Sequence, residues 1–271
     1  MGYPSNFKVV TRLLTENTLL ASSAFTRFDK VNFGNRMAVF KIISTTDSLP
    51  KIILWSPLPY TPQVIDILKN FTGVSTEADL QVNYVIVPDR EHNLAAGVYK
   101  EKFPLAKIIG PENTQNIPLD IEFTKELGHK VISGTALKQL VDDDLIVENF
   151  DFVYLPYHAN SELVVYHKPS KTLFEADLLF NLGVDGKLEQ FSPETGYPEN
   201  FNPHQGWSFA TRYLQPNSKV GKFLFNRLVN RAKSQPGLNA INTLDFKNIV
   251  MCHGNIITEN AKQAFENVFI K

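Results

Sequence analysis

Along residues 8–55 the apolar positions come in short extended runs rather than at helical spacing. Lys8 to Leu13 and Thr18 to Ser22 read as a strand pair parted by the polar Thr15-Glu16-Asn17. Met37 to Ile43 and Lys51 to Trp55 read as a second pair, parted by the turn-rich stretch 44–50. The period then changes. Val64, Ile65, Leu68 and Phe71 fall on one helical face between Pro62, suited to a first turn, and Gly73, suited to a stop. Asn83 to Val87 carries an unbroken apolar run ending at Pro88, the pattern of a strand buried on both faces. His92 to Phe103 is expected to be helical and is closed by Pro104. Lys107 to Ile109 is expected to be a short buried strand closed by Gly110-Pro111.

The second half repeats the plan. Leu145 to Phe150, Phe152 to Pro156 and Glu162 to His167 read as strands, Pro169-Ser170-Lys171 as a hairpin turn, and Thr172 to Glu175 as the returning strand. Residues 181–205 are rich in Gly, Pro and Asn and form the longest irregular stretch. Lys219 to Ala232 reads as an amphipathic helix with Val220, Phe223, Leu224, Leu228 and Val229 on its apolar side. A last buried strand, Asn248 to Cys252, precedes a closing helix, Thr258 to Phe269. No linker separates the halves, so residues 1–271 are expected to form one domain. Two β-rich halves flanked by helices predict an α/β (α+β) four-layer αββα sandwich, with sites where the strand ends of the halves meet.

Composition narrows the chemistry. The chain has 271 residues, a net charge of -1, six His and one Cys. That size supports a large core without staples, and one Cys can make neither an internal disulfide nor a thiolate-rich zinc site. The near-neutral charge argues against a nucleic-acid partner. No run is long and apolar enough for a membrane span, and residues 1–6 lack the basic and apolar regions of a secretory leader. The expectation is a cytoplasmic protein acting on a small molecule, with no nucleic-acid or membrane partner and an oligomeric state the sequence leaves open.

Four expected strand ends carry polar clusters. They are Asp89-Arg90-Glu91-His92, Tyr157-His158, Glu175-Ala176-Asp177, and Cys252-His253-Gly254. Each offers oxygen or nitrogen ligands of the kind that bind zinc, iron or manganese. In order and spacing the chain resembles the metallo-β-lactamase superfamily, whose motif is H-x-H-x-D-H, then a lone His, a bridging Asp after a strand and a final His after the last strand. It is similar in detail to a fungal and bacterial branch with a divergent first metal motif, sharing the style of Asn35-Arg36-Met37 and Trp55-Ser56-Pro57-Leu58.

The resemblance implies that Glu91 and His92 take the Asp-His positions, His158 the lone His, Asp177 the bridging Asp and His253 the last His. Val87 and Asp89 stand where the first two His would be. A carboxylate in the second of these is shared with the di-iron flavoprotein branch. The implied outcome is one well-made site (Glu91, His92, Asp177, His253) and one weak or empty site (Asp89, His158, with Asp177 bridging). Three clustered carboxylates need a counter-charge. One divalent cation would leave a single net negative charge on that ligand set, and two a single positive charge. Zinc is the first expectation, with iron or manganese as alternatives.

Expected activity is that of a metal-dependent hydrolase, with metal-bound hydroxide attacking an ester, thioester, lactone or similar bond. Asp89 is the expected proton acceptor and Asp177 the shared catalytic ligand, with Tyr157 and His204 as candidate pocket residues. Two alternatives stand beside it: a scaffold or binding module with a decayed site, motivated by Val87, and a non-haem iron oxidoreductase, motivated by the carboxylate-rich ligands. Cys252 is expected to be a buried strand residue, Arg36 a structural one, Glu175 a group supporting the ligands, and His129 and His167 solvent-facing.

Overall fold

A computed structural model describes residues 2–43, 48–183 and 187–271. The first half folds into strands β1 (Val10–Thr15), β2 (Thr18–Ser23), β3 (Thr26–Arg27), β4 (Val31–Asn32), β5 (Asn35–Ile42) and β6 (Lys51–Trp55), then helix α1 (Pro62–Thr72). Strand β7 (Gln81–Ile86), helix α2 (Ala96–Lys102), and strands β8 (Lys107–Pro111) and β9 (Ile121–Phe123) complete it. Seven of these strands form one sheet in the order β1-β2-β5-β6-β7-β8-β9, antiparallel up to β6 and parallel from β6 onward. The short strands β3 and β4 pair separately as a hairpin.

In the second half β10 (Val131–Ile132), helices α3 (Gly134–Val141) and α4 (Asp144–Asn149), and strands β11 (Phe150–Leu155), β12 (Glu162–His167) and β13 (Thr172–Glu175) come first. Helices α5 (Lys219–Leu228) and α6 (Arg231–Thr243), strand β14 (Asn248–Met251) and helix α7 (Ala261–Phe269) follow. The five strands form a second sheet in chain order, with only β13 and β14 parallel.

Three apolar layers show why the sheets stack. Strand side chains alternate between faces, and β6 shows the consequence. Ile53 and Trp55 point into a central core with Phe40, Tyr84, Phe150, Phe152 and Phe174, so they lie between the two sheets. Ile52 and Leu54 point the other way, onto Val64, Ile65 and Leu68 of α1 and Tyr99 of α2. On the far side, Val153, Leu155, Val164 and Met251 meet Phe225 of α5, Leu238 and Ile241 of α6, and Phe265 of α7. The result is the expected four-layer αββα sandwich.

Several local expectations are corrected. Residues 145–150 are mostly the helix α4, not a strand, because the Asp143 carboxylate accepts the Leu145 N–H at 2.9 Å and starts a turn. The helix expected from His92 begins only at Ala96. The Asp89 carboxylate takes the N–H groups of Glu91 (2.7 Å) and His92 (2.8 Å), bending that segment into a turn. The helix expected over 219–232 is two helices, broken at Asn230, whose φ is 50°.

The inward face of α5 is also different. Gly221 and Phe225 are buried, while Val220 and Phe223 face outward. A Cβ at Gly221 would lie 2.5 Å from the Gln215 carbonyl oxygen, so glycine is what lets this face approach the preceding loop. Finally, His167 does not face solvent. Its ring is buried with centroids 4.6 Å from Phe40 and 5.1 Å from Phe150, and His129 is half-buried, stacked on Tyr157 at 5.3 Å. The turn expected over 44–50 falls partly outside the described residues.

Candidate metal centre

Four strand ends converge at one edge between the sheets. Pro88, after β7, accepts the Leu163 N–H at 2.7 Å, and Arg90 donates its N–H to the Asn160 carbonyl at 3.0 Å. These bonds stitch the 88–92 turn to the connection between β11 and β12. Asp177 follows β13, where both oxygens of the Glu162 carboxyl accept backbone N–H groups, from Ala176 (2.6 Å) and Asp177 (3.2 Å). His253 follows β14. There the buried Arg36 guanidinium donates to the carbonyls of Met251 and Gly254, bracketing His253 on both sides.

Ligand atoms of His92, Asp177 and His253 lie within 4.8 Å of one another. Their hydrogen bonds fix which atoms face inward. The Nδ1 of His253 donates to the Gly34 carbonyl at 2.7 Å, and that of His92 donates to the Asp89 carboxylate at 2.9 Å. In their neutral forms both imidazoles therefore present Nε2 lone pairs, and the two Nε2 atoms stand 3.2 Å apart. Asp177 Oδ1 is 3.1 Å from His253 Nε2 and has no hydrogen-bond donor, while its Oδ2 accepts from the Asn160 side chain at 2.6 Å. With both rings neutral, three lone-pair donors thus face one another. Such an arrangement repels itself and is relieved by a cation at its centre, so the residues fit a divalent metal ion.

The electrostatics agree. Burial lowers the pKa of His92, but the Asp89 charge outweighs it and lifts the group well above the usual histidine range. Burial raises that of Asp177, but its contacts with His253, His92 and His158 hold it below the usual carboxylate range. Glu162 and Glu175 are pushed well above that range, by burial first and then by neighbouring carboxylates. Those upward shifts mark a buried edge where further negative charge is costly, the setting that a cation relieves.

Each residue singled out in the sequence has a definite place. His92, Asp177 and His253 come together. Asp89 is fully buried but directed at the far nitrogen of His92, where it orients the ring rather than facing the cluster. Glu91 is not among the three: its carboxylate pairs with Arg27 at 2.9 Å on the surface. His158 is buried, with the Asn160 N–H directed at its Nδ1 (3.3 Å). That assigns its proton to Nε2, a buried atom with no partner. Val87 faces the opposite way, into the apolar layer under α1 and α2.

Tyr157 turns away from His158, toward His129 and the ammonium groups of Lys125 (4.9 Å) and Lys233 (5.1 Å). His204 is buried against Thr211 (2.8 Å) and lines a cleft of about 560 Å³ with Glu199, Arg212 and Tyr213, a cleft that does not include the three clustered residues. Glu175 supports the Asp177 segment by accepting the N–H groups of Leu178 (2.9 Å) and Leu179 (3.1 Å). Cys252 is a buried core residue, its thiol 3.2 Å from the Ser56 hydroxyl and pushed up in pKa by burial.

Sequence reasoning missed Glu162, Asn160 and Gly34. A charged residue opening an apolar strand, as Glu162 does in Glu-Leu-Val-Val-Tyr-His, was the available signal for the first. The other two act through a side-chain amide and a main-chain carbonyl, which carry no spacing pattern.

No family model and no curated protein matches the chain by sequence. Solved structures match it along nearly its whole length. It is similar to the DIM-1 metallo-β-lactamase exposed to ceftazidime (TM-score 0.55, 13% identity, 99% of this chain and 98% of that one). It is similar also to the metallo-β-lactamase FIM-1 from Pseudomonas aeruginosa in its mono-zinc form (0.56, 10%, 98% and 95%). A third is the metal-soaked Flv1 flavodiiron core from Synechocystis (0.58, 15%, 97% and 60%). At these identities the likeness is one of architecture, and the chain has the metallo-β-lactamase superfamily fold.

Proposed function

We propose that this protein is a metal-dependent hydrolase of small-molecule esters, thioesters, lactones or similar bonds, with a single strong cation site. The observation that carries this reading is the convergence of three ligand atoms within 4.8 Å of one another, on His92, Asp177 and His253. Zinc is the favoured ion, since nitrogen and carboxylate ligands without a thiolate suit it, with iron and manganese next. A divalent ion held there supplies Lewis acidity toward a carbonyl and lowers the pKa of water toward neutrality.

The chain's own residues supply the rest. Asp89 locks the His92 ring so that Nε2 faces the cluster, and Gly34 does the same for His253. Asn160 holds one oxygen of Asp177 and leaves the other free. His158, whose pKa burial lowers, presents an Nε2–H at the same buried edge, able to donate a hydrogen bond to a leaving oxygen or sulfur. A second strong cation site lacks its ligands, because Val87 lies in the apolar layer and Asp89 is committed to His92.

The test is zinc, iron and manganese content after saturation and dialysis, together with turnover of an ester, thioester and lactone panel. About one bound ion per chain, lost in His253→Ala, with metal-dependent turnover lost in the same variant, is expected. No retained ion and no metal-dependent turnover would overturn the reading in favour of a non-catalytic fold. Bound iron with oxygen consumption and no hydrolysis would overturn it in favour of redox chemistry.

A further inference from the structure

Residues 200–244 form a stretch of 45 residues with no Asp or Glu, in a chain that holds 28 of them. The stretch carries six cations: Arg212, Lys219, Lys222, Arg227, Arg231 and Lys233. Five of the eleven exposed large hydrophobic residues among the described residues fall within it: Trp207, Phe209, Tyr213, Val220 and Phe223. Trp207 is 76% exposed and Phe223 65%. Single exposed apolar residues are ordinary, but a contiguous group of aromatics marks a binding surface.

Two elements build this surface. A 3-10 helix, Gly206–Tyr213, presents Trp207, Phe209 and Tyr213, with the Arg212 guanidinium 4.2 Å over the Phe209 ring. Beside it α5 turns Val220 and Phe223 outward between Lys219 and Arg227, while Gly221 and Phe225 anchor its other face. The β3–β4 hairpin adjoins them. Asn32 donates its N–H to Ser208 at 2.9 Å, and Lys30 sits 5.5 Å over the Trp207 ring. The hairpin tip exposes Phe28, 64% accessible, beside Arg27. Acids at its border include Asp29 at that tip, Glu91 paired with Arg27, and Glu199 across the cleft from Arg212.

We propose that this surface docks the protein peripherally on an anionic membrane. The chemistry of the patch selects that partner. Trp, Tyr and Phe interleaved with Lys and Arg is the composition that settles at a bilayer interface, apolar bodies among the acyl chains and cations among the headgroups. A second copy on the same face would set Arg212, Lys219, Lys222 and Arg227 against their own images, with no acid in the stretch to answer them. A nucleic acid would use the rings for stacking, which leaves the outward aliphatic Val220 on α5 unexplained. The expectation of no membrane partner rests on the lack of a spanning apolar run, and the net charge of -1 is an average that hides this local imbalance. No helix among the described residues is long and apolar enough to cross a membrane, so docking rests on this surface alone. The hairpin that borders it leads into Phe33 and Gly34, which touch His253, so the docked face lies beside the metal centre.

The two tryptophans make the test direct, because Trp55 is fully buried and Trp207 is not. Vesicles of phosphatidylcholine with about 30 mol % phosphatidylserine, and vesicles of phosphatidylcholine alone, are titrated into the full chain while tryptophan emission and co-sedimentation are read. A blue shift and partition on the anionic vesicles, weakened by salt, are expected. Trp207→Phe should abolish most of the emission shift while leaving partition nearly intact. Phe223→Ser should weaken partition about tenfold. Lys219→Gln and Lys222→Gln should each weaken it about fivefold.

No partition at millimolar lipid overturns the proposal. So does equal partition on neutral vesicles that the variants leave unchanged. Concentration-dependent dimerisation of the wild type, lost in Phe223→Ser and without vesicle binding, overturns it in favour of a second copy. Tight binding of a labelled single-stranded oligonucleotide without vesicle binding overturns it in favour of nucleic acid.

Discussion

At the scale of single residues, neither Asp89 nor Glu91 takes the ligand position that the resemblance implies. Two residues apart, they sit on one short turn, yet Asp89 is fully buried against His92 and Glu91 pairs with Arg27 at the surface. Asp89 acts by accepting the Nδ1 proton of His92, which fixes the ring's orientation and raises the basicity of Nε2 toward a proton or a cation. Asp89→Asn is therefore expected to lower zinc affinity about 10- to 100-fold, read by competition with a chromophoric chelator. Unchanged affinity would show that His92 needs no such partner.

His167 supplies a prediction away from the site. Burial alone drives its pKa down to about 3, while in the unfolded chain it titrates near the ordinary value of about 6.5. Above that value both states are neutral and stability is fully present. As pH falls below it, only the unfolded chain takes up the proton, and stability drops by about 1.4 kcal/mol per pH unit until the folded pKa is reached. Denaturant midpoints measured between pH 7 and about 4 should show this slope, and His167→Phe should flatten it. A slope that survives the substitution would assign it to another group.

At the scale of elements, the site depends on how strands end. β14 stops at Met251, and the chain turns at Gly254, whose φ is 98°. A Cβ there would lie 2.3 Å from the Asn181 carbonyl oxygen. Both the backbone conformation and the space require glycine, so Gly254→Ala should cost about 2 kcal/mol or more. Because His253 precedes the turn, metal retention should fall in the same variant. Thermal unfolding and metal analysis of one sample read both effects, and a variant as stable as wild type would sink the argument.

β13 ends in a similar device. Glu162, on the neighbouring strand, clamps two backbone N–H groups of the Asp177 segment with its two oxygens. Helix α5 shows an element whose existence was legible and whose orientation was not. Its apolar residues occur on two faces, and Gly221 decides which one turns inward.

At the scale of the whole molecule, both sheets share one core. Phe174 of β13 meets Phe40 at 5.1 Å and Trp55 at 5.5 Å, across the interface between sheets. Phe174→Ala should cost about 3–5 kcal/mol and lower a single unfolding transition, since neither sheet buries this face alone. Two separated transitions would show that the halves unfold independently. The candidate metal centre spans the same division, with Gly34 and His92 from the first half and Asp177 and His253 from the second. Zinc at about 100 times its dissociation constant should therefore add about 2.7 kcal/mol of stability, seen as a higher melting temperature that chelation reverses. His253→Ala should abolish that response.

The sequence by itself determined the elements with strong periodicity, their order, the four-layer class and the four strand ends that meet. Short apolar runs cut by prolines and glycines leave few alternatives, and strand alternation fixes which residues share a face. Only the tertiary structure decided which polar groups at those ends face one another. Spacing places Glu91 and Asp89 on one turn, but the choice between them depends on Arg27, 64 residues away in sequence. The tautomer of His253 depends on a carbonyl at Gly34, and the burial of His167 on rings from another sheet. A chain pattern encodes local conformation and the average face of burial. Ligand geometry, proton placement and the outward turn of an apolar helix face are set by contacts between distant segments, which exist only once the layers have closed.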